Sequence, residues 1–94
     1  MSERLVRLPT EVQATIRQLH PELKRRVRAA IDLLRKSPES GKALAAELDG
    51  WRSLRVGSLR IVYRASGASL DVAAIGPRAT ISLEAARLVR RVRR

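Results

Sequence analysis

The sequence has no cysteine and a single histidine, His20. Without cysteine the chain can form no disulfide, use no thiolate nucleophile and build no cysteine-ligated metal centre, and one histidine cannot hold a metal without neighbouring ligands. We therefore expect a protein that works with no metal and no other cofactor.

Long apolar runs are also missing. No segment offers the roughly 18 apolar residues that a membrane span needs, and the first nine residues, MSERLVRLP, carry charge without an apolar signal core. We expect a soluble cytoplasmic protein with no membrane partner.

Aromatic residues are nearly absent, since Trp51 and Tyr63 are the only ones. Either side chain could stack on a nucleic-acid base, but large rings in a small domain more often belong to the core. We expect both in the core.

Negative charge is scarce as well. Against nine acidic residues the chain has 20 basic ones, of which 17 are arginine, giving a formal charge of +11. Residues 1–50 contain ten bases and seven acids (+3), whereas residues 51–94 contain ten bases and two acids (+8). Arginine keeps its charge at any working pH and binds phosphate through two parallel hydrogen bonds. The composition predicts a polyanionic partner that docks on the C-terminal half.

The first half of the chain has the pattern of a strand followed by two helices. In residues 4–8 the apolar pair Leu5 and Val6 lies between arginines, in a short run that suits a strand, and Pro9 ends that strand. Thr10 is suited to cap a helix, and apolar residues then recur at helical spacing. Pro21 begins a second helix that should run to about Lys36, antiparallel to the first.

The second half changes to a strand pattern. Two apolar strands at 54–56 and 59–65 flank Gly57-Ser58, with glycine at the first position of a two-residue turn. A further turn and a strand at 70–76 complete a meander. The stretch 81–94 has one apolar face and predicts a helix, or a tail ordered by a partner, while residues 42–50 fit either a helical turn or a loop.

These elements predict one α+β domain spanning residues 1–94. Its order is β-α-α-β-β-β-α, with a small antiparallel sheet and the N-terminal helical hairpin packed on one face. Successive side chains of a strand point to opposite faces of the sheet, so Arg60 lies on the face opposite to that of Leu59 and Ile61. Since the apolar pair belongs against the helices, Arg60 faces away from them. Arg52 and Arg55 share a face only if Ser53 is a β-bulge.

Two motifs carry a resemblance to a known family. Residues 55–63 read Arg-Val-Gly-x-x-Arg-Ile-Val-Tyr, and residues 76–78 read Gly-x-Arg. With the two preceding helices, this pattern resembles the RelE/ParE superfamily of bacterial toxins from type II toxin–antitoxin systems. The resemblance implies a cognate antitoxin as partner. It also implies one of two targets: mRNA cut on the ribosome, as in RelE-like endoribonucleases, or DNA gyrase, as in ParE-like toxins.

The resemblance also implies where catalysis would occur. Arg55, Arg60 and Arg78 match the basic positions of RelE-like enzymes. Ser82 stands where that group often has a catalytic tyrosine, so it is a candidate catalytic residue that departs from the pattern. The alternative for Ser82 is an ordinary helix N-cap, with Glu84 near the positive end of the helix.

Other basic residues are candidates for RNA contact. They are Arg52 and Arg64 near the hairpin and Lys24, Arg25 and Arg28 on the second helix. The alternative for each is a solvated surface. Histidine is the residue type that ordinarily acts as an acid or a base near neutrality, but the place of His20 before Pro21 predicts a helix junction away from the strands.

The leading hypothesis is a ribosome-dependent mRNA endoribonuclease that uses an arginine cradle without metal. Arginine neutralises charge on a phosphate in the transition state but is a poor general base, so a proton acceptor is the missing part. The alternatives are a ParE-like gyrase inhibitor and a degenerate toxin that only binds.

Overall fold

The computed structural model describes residues 4–44 and 50–77 of the chain. Within them lie two α-helices, α1 (Thr10–Arg17) and α2 (Pro21–Lys36), and a short 3-10 helix (Pro38–Ser40). Five strands are β1 (Leu5–Arg7), β2 (Lys42–Ala43), β3 (Arg52–Val56), β4 (Leu59–Ser66) and β5 (Ser69–Pro77). The α+β class is confirmed. The helix predicted over 81–94 lies outside the described residues.

The helical hairpin forms as expected, with one error at its start. Helix α2 has Pro21 at its first position and ends at Lys36. Helix α1 starts at Thr10 itself, Pro9 occupies the N-cap position, and no side chain caps the helix. The predicted Thr10 cap is therefore wrong. Gln13 Nε2 instead donates to the Leu8 carbonyl at 2.8 Å and fastens the entry into the helix.

The sheet has the order β1-β5-β4-β3-β2. Strands β3, β4 and β5 form the predicted antiparallel meander. Strand β1 pairs with β5 in parallel, so the sheet is mixed, and β2 adds a two-residue edge in the stretch that the sequence left ambiguous. Both turns of the meander place a glycine at positive φ, Gly57 at 59° and Gly67 at 56°, where other residues are strained.

The main core lies between the helices and one face of the sheet, the helix face. The helices contribute Val12, Ile16, Val27, Ile31 and Leu34, and the strands contribute Val56, Leu59, Ile61, Tyr63, Leu70, Val72 and Ile75. Full burial of one large aliphatic side chain is worth about 1.5–3 kcal/mol. This face therefore supplies most of the apolar stabilisation.

The other face of the sheet, the open face, holds a smaller buried cluster of Trp51, Val62, Ala73 and Ala74. Two adjacent alanines belong to it because the β4–β5 register shifts by one residue: Val62 pairs with Ala74, but Tyr63 pairs with Val72. Ala73 is the extra residue of this β-bulge. No helix among the described residues is long and apolar enough to cross a bilayer.

Candidate nucleic-acid interface

Arg55 and Arg60 lie directly opposite each other on β3 and β4. Their strand neighbours Val56, Leu59 and Ile61 are buried in the core under the helices. Because side chains alternate along a strand, both arginines project from the open face, as parity predicted for Arg60. Cβ atoms of directly opposed residues are about 4.5–5.5 Å apart, and like charges there destabilise a sheet. The fold thus keeps a charge pair that costs stability.

A third cation joins the pair from the sheet edge. Lys42 of β2 is in register with Ser53 of β3, two residues before Arg55 on the same face. A shallow cavity of about 290 Å³ is lined by Lys42, Arg55 and Arg60 together with neighbouring residues. These three side chains are called the basic patch below.

No carboxylate among the described residues pairs with a member of the basic patch. The ion pairs in this part of the chain involve other cations: Arg7 and Arg64 with Asp71, and Arg35 and Lys36 with Asp32. An array of unpaired cations suits a phosphate ligand, which guanidinium groups bind in two-pronged fashion. The described lining includes the hydroxyls of Ser40 and Ser53 but no histidine or carboxylate, so it offers charge without a general base.

Arg52 does not join the basic patch. It is in register with Tyr63, which belongs to the core on the helix face, and its guanidinium donates to the Gly41 carbonyl at 2.8 Å. Pairing of β3 with β4 is regular through Ser53. Strand β3 therefore has no bulge at Ser53, and Arg52 and Arg55 lie on opposite faces of the sheet.

Tyr63 anchors the segment that leads to Lys42. Its side chain is fully buried, its hydroxyl donates to the Pro38 carbonyl, and the Gly41 N–H donates to that hydroxyl at 3.0 Å. A Cβ at Gly41 would lie 2.3 Å from the tyrosine oxygen, so only glycine allows this approach. The Tyr63 hydroxyl thus holds the segment from Pro38 to Gly41 by two hydrogen bonds, and this segment leads directly to Lys42 of the basic patch.

The same burial changes the acidity of the Tyr63 phenol. Burial raises the pKa of the Tyr63 phenol, an effect only partly offset by the Gly41 N–H and by the charge of Arg52. The phenol faces away from the basic patch. Tyr63, the one tyrosine of the chain, lies in the core on the helix face, and its prediction as a core residue is confirmed.

The far end of the open face carries a different arrangement. Arg7, Asp71 and Arg64 form a row across β1, β5 and β4, with Asp71 in register with both arginines. The Arg64 guanidinium lies 4.6 Å from the centre of the Trp51 ring, a cation–π contact. Trp51 is 4% exposed, which confirms its place in a core cluster.

The remaining predicted contacts lie elsewhere. Lys24, Arg25 and Arg28 are on α2, in the helical layer on the other side of the sheet, with Arg25 and Arg28 exposed. His20 is exposed at the N-cap of α2, the junction predicted for it. Arg78 and Ser82 lie outside the described residues, and their roles stay predictions.

Sequence reasoning missed Lys42 and Asp71. Lys42 stands in a two-residue strand that has no periodicity to detect. Asp71 has its two arginine neighbours only through the pairing of β5 with β1 and β4. An acidic residue near the start of a strand of apolar and small residues is unusual, and this position could have marked Asp71 as a candidate functional residue. The described residues contain no cluster of histidine and acidic side chains suited to a metal ion.

Comparisons with known proteins agree with this architecture. A family model described as the ParE toxin of the type II toxin–antitoxin system, parDE, matches residues 6–81. Among solved structures, a chain from the toxin–antitoxin complex RelBE2 of Mycobacterium tuberculosis is similar, with a TM-score of 0.72 and 28% identity; the match covers 84% of this chain and 95% of that chain. No curated protein matches.

Proposed function

The chain belongs to the ParE toxin family of type II toxin–antitoxin systems, and from this premise we propose that it binds mRNA on the ribosome through the basic patch and cuts it there. Its regulatory partner is a cognate antitoxin, in line with the similarity to a toxin–antitoxin complex. The proposal extends the family assignment from a toxin in general to a target and a reaction.

The observation that carries the proposal is the pair Arg55–Arg60. Two arginines directly opposed on a sheet repel each other, and no carboxylate of the described residues relieves them. A phosphate bound between the two guanidinium groups would turn this repulsion into attraction. Lys42 adds a third charge at the rim of the same cavity.

The reaction fits these groups in part. Attack of a ribose 2′-hydroxyl on the adjacent phosphate forms a bond from the 2′-oxygen to phosphorus and breaks the bond from phosphorus to the 5′-oxygen of the next nucleotide, which leaves a 2′,3′-cyclic phosphate. Water takes the hydroxyl proton and returns a proton to the 5′-oxygen. Negative charge builds on the phosphoryl oxygens during this step, and fixed cations stabilise that charge. The patch offers no general base among the described residues. In this proposal the ribosome supplies alignment of the 2′-hydroxyl with the phosphate, which lowers the barrier by positioning.

One observation favours a second function. The lack of a general base in the described patch, together with the match to a family named for ParE toxins, also suits a protein that inhibits DNA gyrase by binding alone. In that case the arginines would bind an acidic protein surface or DNA without chemistry.

A cleavage assay with purified ribosomes and a defined mRNA separates the two functions. The wild-type protein should cut in the decoding site. Arg60→Lys keeps the charge but loses the two-pronged hydrogen bond, so it should retain RNA binding and lose about 100-fold in cleavage rate. Arg17→Ala is the matched control, because Arg17 is an exposed arginine of α1, in the opposite layer, and is not a candidate for RNA contact; it should cut at the wild-type rate.

A supercoiling assay with purified gyrase completes the test. Loss of supercoiling with wild-type protein, combined with intact mRNA on ribosomes, would replace the nuclease proposal with gyrase inhibition. Equal cleavage by wild type and Arg60→Ala would remove the basic patch from the mechanism even if the protein is a nuclease.

A further inference from the structure

A second cavity opens at the far end of the open face, away from the basic patch. Its volume is about 480 Å³, and its lining includes Arg7, Pro9, Trp51, Arg64, Asp71 and Ala73. This Trp51 pocket is larger than the cavity at the basic patch, and it combines an aromatic wall with an acid and two cations. A planar, polar-edged ligand matches that combination.

Two polar atoms in the Trp51 pocket are buried without a hydrogen-bond partner: Oδ1 of Asp71 and Nε of Arg64. Arg7 Nε is 3.7 Å from Asp71 Oδ1, and Arg64 is 3.8 Å from Oδ2. Both separations exceed hydrogen-bond length. The Asp71 carboxylate therefore keeps acceptor capacity, and buried polar atoms without partners are rare in native folds. The Asp71 side chain as a whole is 22% exposed, and the terminal torsion of an aspartate is broad, so a rotation of the carboxylate brings Oδ1 from its buried position to the pocket.

We propose that the Trp51 pocket binds a guanine base of single-stranded RNA. The Watson–Crick edge of guanine carries two adjacent donors, N1–H and N2–H, which match the two acceptor oxygens of Asp71. Its O6 lies beside N1 and accepts from an arginine next to that carboxylate. Adenine and cytosine present one donor beside a ring acceptor, and uracil presents one donor between two acceptors, so each sets an acceptor against the carboxylate.

The walls of the pocket suit a flat ring. Trp51 holds the Arg64 guanidinium in a stacked position, and the Arg64 side chain is still 36% exposed. Proteins that read single-stranded RNA stack bases on such arginine planes and hydrogen-bond the Watson–Crick edges. The bulge at Ala73 puts two alanines side by side on this face, which leaves room where larger side chains would fill the space.

Continuity with the basic patch connects this pocket to an RNA strand, and in this respect the inference rests on the proposed function. Arg60 and Arg64 are four residues apart on the same face of β4, a distance of about 13 Å along the strand. One RNA strand running across the open face would place a phosphate at Arg55 and Arg60 and a base of a nearby nucleotide at Asp71. The pocket would then select a guanine near the site of cleavage.

The test uses the only tryptophan of the chain as its reporter. The full-length protein is titrated with the 5′-monophosphates of guanosine, adenosine, cytidine and uridine, and tryptophan fluorescence is recorded with correction for nucleotide absorbance. Guanosine monophosphate should act at a concentration about tenfold lower than the other three, which is the discrimination expected of one good bidentate contact. An equal response to all four nucleotides overturns the proposal.

Variants decide which atoms are responsible. Asp71→Asn replaces one acceptor oxygen by a donor and should abolish the preference for guanosine. Arg7→Ala, on an exposed edge-strand side chain, should weaken the guanosine response several-fold and decides the matter if Asp71→Asn fails to fold in a thermal scan. Arg55→Ala is the control: it removes a charge from the basic patch and should leave the preference for guanosine over the other bases intact.

Two further outcomes separate this inference from the proposed function. A guanosine-selective response without cleavage on ribosomes supports guanine binding in the Trp51 pocket and contradicts the proposed nuclease activity. Cleavage on ribosomes without base selectivity supports the nuclease activity and contradicts guanine binding. If Asp71→Asn leaves nucleotide binding unchanged but abolishes antitoxin binding, the pocket is a protein contact and the guanine proposal is wrong.

Discussion

The two faces of the sheet differ most clearly at neighbouring residues of one strand. Ile61 is fully buried against the helices, whereas Arg60 projects from the open face opposite another arginine. The helix face is filled by a large apolar cluster. The open face has a smaller apolar cluster together with five cations and one acid among the described residues: Arg7, Lys42, Arg55, Arg60, Arg64 and Asp71. Stability is concentrated on one face, and the charge available for a ligand on the other.

The sharpest way to break this contrast is to truncate adjacent residues of β4. Ile61→Ala removes a fully buried side chain from the core and should lower the free energy of unfolding by about 3 kcal/mol. Arg60→Ala should leave it unchanged within about 0.5 kcal/mol or raise it, because a like-charge pair is relieved. Chemical denaturation of both variants measures the difference. A loss of stability in Arg60→Ala comparable to that in Ile61→Ala would show that the open face is structural.

A smaller loss of stability is expected from Tyr63→Phe, because Tyr63 lies on the helix face and its hydroxyl holds the segment that leads to Lys42 on the open face. Tyr63→Phe leaves the Gly41 N–H and the Pro38 carbonyl without their shared partner, which should cost about 2 kcal/mol. Because Gly41 precedes Lys42, the same variant should also weaken RNA binding. Denaturation and a filter-binding assay on one preparation measure both effects. RNA affinity equal to wild type would mean that these hydrogen bonds are not needed to hold Lys42.

The smallest effect concerns pH, and it separates the faces by their chemistry. Burial raises the pKa of Tyr63, so the folded state prefers the protonated phenol more than the unfolded state does. The contribution of this preference to the free energy of unfolding is fully present below the pKa of a tyrosine in the unfolded chain, which is about 10. That contribution is lost as the pH rises from about 10 through the pKa of Tyr63 in the folded state. The stability gap between wild type and Tyr63→Phe should therefore narrow above about pH 10 in denaturant titrations.

Lysines titrate in the same alkaline range, but they are common to both proteins and cancel in that comparison. Arginine as a residue type does not lose its charge in this range, so it adds nothing to the comparison. A constant gap across this pH range would contradict the effect of burial on the phenol.

Local sequence rules predicted much of this molecule because they act within a few residues. Pro21 set the start of α2, Gly57 set the β3–β4 turn, and the two-residue period of strands placed Arg60 on the open face. Each signal needs only the residue and its immediate neighbours. The hairpin itself was predicted from the residue pattern, whereas Arg55 and Arg60 became candidates through the resemblance to RelE-like enzymes.

Features that depend on distant pairing could not be predicted in the same way. The parallel β1–β5 contact brings Arg7 to Asp71 across 64 residues of chain, and nothing near either residue signals the other. The bulge at Ala73 depends on how β5 aligns with β4. Lys42 reaches the basic patch through the pairing of β2 with β3, next to a segment that Tyr63 anchors. The Trp51 pocket and the rim of the patch are therefore products of tertiary structure.

The place of β1 in the sheet has a consequence for how the protein forms during its own synthesis. The strand translated first is paired only with the strand translated last among the five, since residues 5–7 must wait for residues 69–71. The meander can assemble locally, but closing the long loop to β1 costs chain entropy and is a late event. Arg7 thus reaches the Trp51 pocket only after β5 has been made, so the two sites of the open face mature in order: first the hairpin arginines, and then the pocket.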